Sequence, residues 1–123
     1  MKTLKAILIF GLILTIFSCN DDDNIESQTI IKVSTLAGSS SGYEDGTGEN
    51  AKFKYPTGVA VDGSGNIYIA DYGNHKIRKI TPNGVVTTLA GSTQGFEDGN
   101  TSPKFNHPID VAVDTNGNVY VAD

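Results

Sequence analysis

With a single cysteine, Cys19, in all 123 residues, the chain cannot close an internal disulfide even in an oxidising compartment, so packing alone must hold it together. Long hydrophobic runs are also scarce. The apolar stretch from Ala6 to Phe17 is 12 residues long, contains Gly11 and Thr15, and falls short of the ~20 residues a membrane-spanning helix needs. Basic residues are few and scattered: Lys and Arg total 9 against 14 Asp and Glu, a formal net charge of −5. With no Lys/Arg cluster and no aromatic platform among basic side chains, nucleic acid is excluded as a partner. Nor can a Ser/His/Asp or Cys/His constellation, a phosphate-cradling glycine loop or a catalytic carboxylate pair be assembled. No catalytic residue, metal ligand or cofactor is therefore assigned.

What is present begins with an export signal. Lys2 and Lys5 precede the short apolar run, the layout of a secretory signal peptide over residues 1–18. Leu14, Thr15, Ile16, Phe17, Ser18 and Cys19 resemble the lipobox of bacterial lipoproteins, in which the cysteine is lipidated and becomes the new N-terminus. The resemblance implies a membrane anchor at Cys19; ordinary cleavage beside a bystander thiol is the alternative. Residues 19–30 open with Asn20, Asp21, Asp22, Asp23 and Asn24 and read as a solvated tether. An acidic triplet behind the cysteine is similar to the export signal of surface-displayed Bacteroidetes lipoproteins. That implies the bacterial outer membrane or cell surface, with a periplasm-facing orientation as the alternative. Loss of residues 1–18 removes two of the 9 basic side chains, leaving 7 against 14 acidic ones, a formal charge of −7 on 105 residues.

Residues 31–123 repeat with a period of 53 and then 52. Val33 to Gly38 recurs as Val86 to Gly91, and Gly42-Tyr43-Glu44-Asp45-Gly46 as Gly95-Phe96-Glu97-Asp98-Gly99. After a one-residue deletion Phe53 matches Phe105, Pro56 matches Pro108, Val59 to Asp62 matches Val111 to Asp114, and Gly65 to Asp71 matches Gly117 to Asp123. Within one unit, runs rich in β-branched residues predict strands at Thr57–Asp62, Asn66–Asp71, Lys76–Thr81 and Val85–Ala90. Turn residues lie between them at Gly63-Ser64-Gly65, Tyr72-Gly73-Asn74 and Pro82-Asn83-Gly84. The expected unit is a four-stranded antiparallel meander. Its first two strands are apolar on both faces and its last two mixed, which predicts buried inner strands and wetter outer ones.

Pro56, Gly58 to Asp62, Gly65 to Asp71, Asn74-His75-Lys76-Ile77 and Ile80 resemble one complete NHL repeat, the unit of NHL-type β-propellers. The second copy departs from it, with Asp110 where the first has Gly58. The expected fold class is all-β: an incomplete NHL-type β-propeller of four-stranded antiparallel blades. It has about one and a half blades plus a leading outer strand near Ile31 to Ala37. Propellers have about 4 to 8 blades, so the chain reads as the N-terminal fragment of a longer protein, a six-bladed ring of roughly 310 residues being the natural size.

The most prominent site candidates are the repeated loops carrying Glu44, Asp45, Glu97 and Asp98, which could ring a cation or form an acidic binding rim on one propeller face; a structural loop anchored by Tyr43 or Phe96 is the favoured alternative. Asp110 joins them as a carboxylate at the start of an inner strand. Asn74 and His75 are expected to serve the turn, and His107 to be an ordinary loop residue. Asp62 to Asn66 and Asp114 to Asn118 space oxygens as calcium loops do, yet lack the sixth-position glycine and distal glutamate, so they read as hairpin turns. Function is expected to be a cell-envelope binding or interaction module for a protein or glycan ligand. The alternative implied by the resemblance is a propeller hydrolase or lyase, lactonase-like or amidating-lyase-like, with its site in other blades.

Overall fold

Turn chemistry sets the strand boundaries. A computed structural model describes residues 31–123; the expected signal peptide, Cys19 and the expected tether lie outside the described residues. The strands are β1 (Gly46–Thr47), β2 (Pro56–Val61), β3 (Ile67–Asp71), β4 (Lys76–Ile80), β5 (Val85–Ala90), β6 (Asp110–Val113) and β7 (Val119–Ala122). Gly65 and Gly84, at φ +82° and +78°, close the β2–β3 and β4–β5 hairpins. Each donates its N–H to the residue three before it, Asp62 or Thr81. Between β3 and β4 a short 3-10 turn over Tyr72–Asn74 ends on His75 in the left-handed region.

The first blade is an antiparallel sheet ordered β1-β5-β4-β3-β2, and the second unit is the hairpin β6-β7. Ile69 pairs with Val59 on one side and Arg78 on the other, while Tyr68 pairs with Ala60 and Lys79. Since paired residues share a face, Ile67, Ile69, Arg78 and Ile80 point one way and Tyr68, Ala70 and Ile77 the other. The second face packs on the second blade, in a core of Tyr68, Ala70, Ile77 and Val111 flanked by Val113, Val119 and Val121. The first face is covered by the chain leading into the blade, with Ala51, Ile80 and Val86 against Ala37 and Phe53. Gly58 is what lets the inner strands meet: a Cβ there would lie 2.5 Å from the Asp110 Cα.

Three features differ from expectation. Residues 31–37 form no strand; Val33 is 91% exposed, because among the described residues the segment has no strand beside it. The two-residue β1, not expected at all, adds to the outer edge of β5 through Gly46 opposite Val86. The polarity gradient holds for β3, which is buried, and for β5, which is wetter, but not for β2 and β4. Val59 and Val61 of the inner strand are 61% and 59% exposed, because no layer among the described residues covers that face of β2, whereas Arg78 in the mixed strand β4 is fully buried.

Candidate functional site

The loop between residues 38 and 55 folds back over the first blade because its acidic tip meets a buried cation. Arg78 Nη1 donates to the Asp71 carboxylate at 2.8 Å and to the Lys52 carbonyl at 3.1 Å. Its Nη2 donates to the Asp45 carboxylate at 2.6 Å and to the Glu44 carbonyl at 2.9 Å. The guanidinium carbon lies 5.0 Å from the Tyr43 ring centre and 5.1 Å from that of Phe53, a cation held between two aromatic faces. Only Nε lacks a partner. The planar fork of arginine suits this task, since it meets two carboxylates and two carbonyls in one plane.

Every partner is itself positioned. Asp71 also accepts the Lys54 N–H at 2.8 Å and the Asn74 side-chain amide at 2.8 Å, and that amide donates in turn to the Gly42 carbonyl. Asn74 therefore serves the turn, as expected, and ties it to the acidic loop as well. Asp45 accepts from both the backbone N–H and the hydroxyl of Thr88. Glu44 pairs with Lys52 at 2.9 Å on the surface.

The second loop repeats this frame. Gly95 donates to the Phe105 carbonyl at 3.0 Å as Gly42 does to that of Phe53, and Glu97 pairs with Lys104 as Glu44 does with Lys52. The Asn106 N–H reaches Asp123 at 2.7 Å, as that of Lys54 reaches Asp71. Asp98 and Asp123 line an open cavity of about 450 Å3 with Phe96, Lys104, Phe105 and Val121. Asp110, at the start of β6, accepts its neighbour's N–H from Val111 at 2.8 Å and lies against Gly58. The five candidate carboxylates are thus dispersed: Asp45 on Arg78, Glu44 on Lys52 at the surface beside it, Glu97 and Asp98 at the open cavity, and Asp110 between the inner strands.

His107 does more than its loop position suggested. Its N–H donates to His75 Nδ1 at 3.2 Å, the two rings meet edge to face at 4.3 Å, and Tyr72 lies 4.6 Å from the same ring. Burial, with a smaller contribution from His107, lowers the His75 pKa. Both His107 and its counterpart Tyr55 hold left-handed φ values, 66° and 51°. Among the described residues no group of three or more His, Cys, Asp or Glu side chains is placed to hold a metal ion.

The calcium-like spacings are turn caps. Asp62 accepts from the Asn66 side-chain amide at 2.8 Å, from the N–H groups of Ser64 and Asn66 and from the Tyr68 hydroxyl; Asp114 repeats this with Asn118, Asn116 and Tyr120. Those donors, the Asn66 side chain first, hold the Asp62 carboxyl down from 3.8 to about 2. Because the folded pKa is depressed, the stabilisation is complete above the unfolded value and is lost as pH falls through the folded one, between about pH 4 and pH 2. Thermal midpoints followed down through that window should fall more steeply for the wild type than for Asp62→Asn. Parallel curves would remove Asp62 as the cause.

The profile of the family described as "NHL repeat" matches residues 53–80 and 105–123. The chain carries NHL repeats. Human NHL repeat-containing protein 2 is 41% identical over 88 residues, covering 67% of this chain and 12% of that protein. A probable peptidyl-alpha-hydroxyglycine alpha-amidating lyase of Caenorhabditis elegans is 34% identical over 73 residues, 58% of this chain and 20% of the enzyme. Among solved structures, an auxiliary nutrient binding protein from Bacteroides thetaiotaomicron superposes with a TM-score of 0.65 at 29% identity, covering 72% of this chain and 25% of the other. The chain thus spans a quarter or less of the length of each of these proteins. Its fold is that of an NHL-type β-propeller, represented by one four-stranded blade, with β1 added at its rim, and the inner hairpin of the next. In each NHL repeat the acidic loop enters from outside the matched residues and is fastened to them, by Arg78 in the first copy.

Proposed function

We propose that this chain belongs to a lipid-anchored cell-envelope protein whose NHL propeller is a binding module for a protein or glycan ligand. The observation that carries this reading is its likeness to the Bacteroides nutrient binding protein, whose structure superposes on 72% of this chain. The signal-like N-terminus, the lipobox-like Leu14 to Cys19 and the acidic residues behind it support an anchor at the outer membrane, with the propeller displayed at the cell surface or facing the periplasm. The repeated loops with Glu44, Asp45, Glu97 and Asp98 lie where a propeller rim meets a ligand. Of these, Asp98 is the carboxylate most free to do so, because it lines an open cavity.

Two measurements test the reading. In a Bacteroides host fed labelled palmitate, the wild-type chain should take up label and sediment with membranes, and Cys19→Ala should do neither. A Cys19→Ala chain that still sediments and carries label removes the anchor. For the ligand, the displayed chain is screened against a glycan array and envelope proteins, where saturable binding is expected. The likeness to the C. elegans lyase favours a second reading, a propeller lyase or hydrolase. Release of amidated peptide from a peptidyl-α-hydroxyglycine, with no saturable ligand found, would decide for it.

A further inference from the structure

One contact between the two blades is made of groups that titrate near neutral pH. His75 ends the turn between β3 and β4 with φ 56° and ψ 42°, and its ring meets the segment that leads into β6. There its Nδ1 accepts the His107 backbone N–H at 3.2 Å, across 32 residues of chain. A ring nitrogen that accepts a hydrogen bond carries no proton, so His75 is neutral with its hydrogen on Nε2. His107 is held differently. Its Nδ1 lies 2.9 Å from the Asn106 side-chain oxygen, which also accepts the Gln94 amide at 2.7 Å; facing a carbonyl oxygen, that nitrogen donates. The charged and titratable groups around His75 are Lys76 beside it, Lys54 on the loop entering β2, His107, and Asp123 just past β7. Only Asp123 favours an added positive charge there. Burial first, then His107, Lys76 and Lys54, hold the His75 pKa below its ordinary 6.5.

We infer that His75 and the His107 N–H form a proton-released latch between the two blades, closed while His75 is neutral and opened when a proton occupies its Nδ1. That proton takes the lone pair that accepts the bond, leaves two N–H groups facing one another, and sets an imidazolium against the His107 ring, whose centre is 4.3 Å away. Protonation of His107 has no such effect. Both of its hydrogen bonds are donations, one from the backbone and one from Nδ1, and its Nε2 is left to take the proton. The opening is local, because Tyr68, Ala70 and Ile77 still pack on Val111 and Lys76 still donates to the Ser92 carbonyl. What it loosens is the segment at Asn106 and His107, which Gln94 ties to the base of the loop carrying Glu97 and Asp98. Since the folded pKa is depressed, the latch contributes its full stabilisation above 6.5 and loses it as pH falls through the lower folded value. The caps of Asp62 and Asp114, both held below 3.8, respond only at lower pH.

Amide exchange of the full chain, corrected for the intrinsic effect of pH on exchange, reads the latch at the His107 N–H. Between about pH 7.5 and pH 5 its protection should fall about fivefold or more, while β3 and β4 keep theirs. Ring-nitrogen chemical shifts of the wild type should show His75 as the Nε2–H tautomer at the upper pH and a titration midpoint below 6.5. His75→Asn puts an oxygen where Nδ1 stands, an acceptor that takes no proton, on a residue that tolerates the left-handed backbone. Its amide at position 107 should keep the same protection at both pH values. His107→Asn retains the backbone donor and removes the neighbouring charge, so the response should persist with its midpoint moved up toward 6.5. An unchanged His107 amide in the wild type, a His75→Asn chain that responds as the wild type does, or a response abolished by His107→Asn each overturns the inference. Protection lost together across β3 and β4 does so too, by making the event a global unfolding.

Discussion

Arg78→Ala is expected to lose about 3–5 kcal/mol of stability, enough to unfold most of a small, marginally stable domain. The side chain is fully exposed to neither water nor solvent ions; it is completely buried, and so is its partner Asp71. Alanine would leave the Asp71 carboxylate buried with its Lys54 and Asn74 donors but no counter-charge, which is the costly half of breaking a buried pair. It would also release Asp45, the carbonyls of Glu44 and Lys52, and the two aromatic rings, so the loop over residues 38–53 loses its fastening. Arg78→Lys should recover part of the loss, because a charge remains but the fork does not. Urea unfolding followed by tyrosine fluorescence measures both. A loss below about 1 kcal/mol for the alanine variant would mean that the arginine is an incidental surface-type pair.

Gly91→Ala is expected to be nearly as damaging for a different reason. The residue sits just past β5 at φ +94°, a conformation L side chains rarely adopt, which costs on the order of 1–3 kcal/mol by itself. The new Cβ would also lie 2.3 Å from the His75 carbonyl oxygen, 2.8 Å from the Lys76 Cα and 3.0 Å from the Phe105 ring. Two of those neighbours are backbone, so no rotamer change relieves the overlap, and the bend from the first blade into the second loop must open. A total loss of about 3 kcal/mol or more follows, read as a lower midpoint in the same urea titration. Gly63→Ala is the control: nothing lies within 4 Å of its Cβ, so its midpoint should move by no more than about 0.5 kcal/mol.

The strands of the first blade were legible almost to the residue. Expected runs at 57–62, 66–71, 76–81 and 85–90 became β2 to β5 with ends shifted by one residue or none, because Gly65, Gly84 and the Asp62 cap act within a few positions of themselves. The period of the chain carried the propeller in the same way, since a repeated pattern of short strands has few other outcomes. What stayed hidden depends on distance along the chain. Arg78 and Asp45 are 33 residues apart and Tyr43 and Thr88 are 45 apart, so no local pattern announces either contact. In the mixed run Lys76 to Ile80 the arginine looked like one more wet residue of an outer strand. A signal was nevertheless there: an arginine at alternate spacing with Ile80 shares its buried face, and an acidic loop recurs in every copy. The expected strand at residues 31–37 failed for the complementary reason, a strand being a property of a pair and not of a segment.

The clamp between Asp45 and Arg78 also says how such a chain can grow by gene duplication. A copied segment bounded at the inner hairpin would separate a loop from the arginine that fastens it. A segment that starts with the loop near Gly38 and ends with β5 at Ala90 carries lock and key together. Unequal crossing-over that adds or removes whole lengths of 52 or 53 residues keeps a loop and the arginine 33 residues downstream of it in one register. Insertions of any other length strand one carboxylate and one guanidinium apiece, and selection would see the lesion as a folding defect far from the breakpoint.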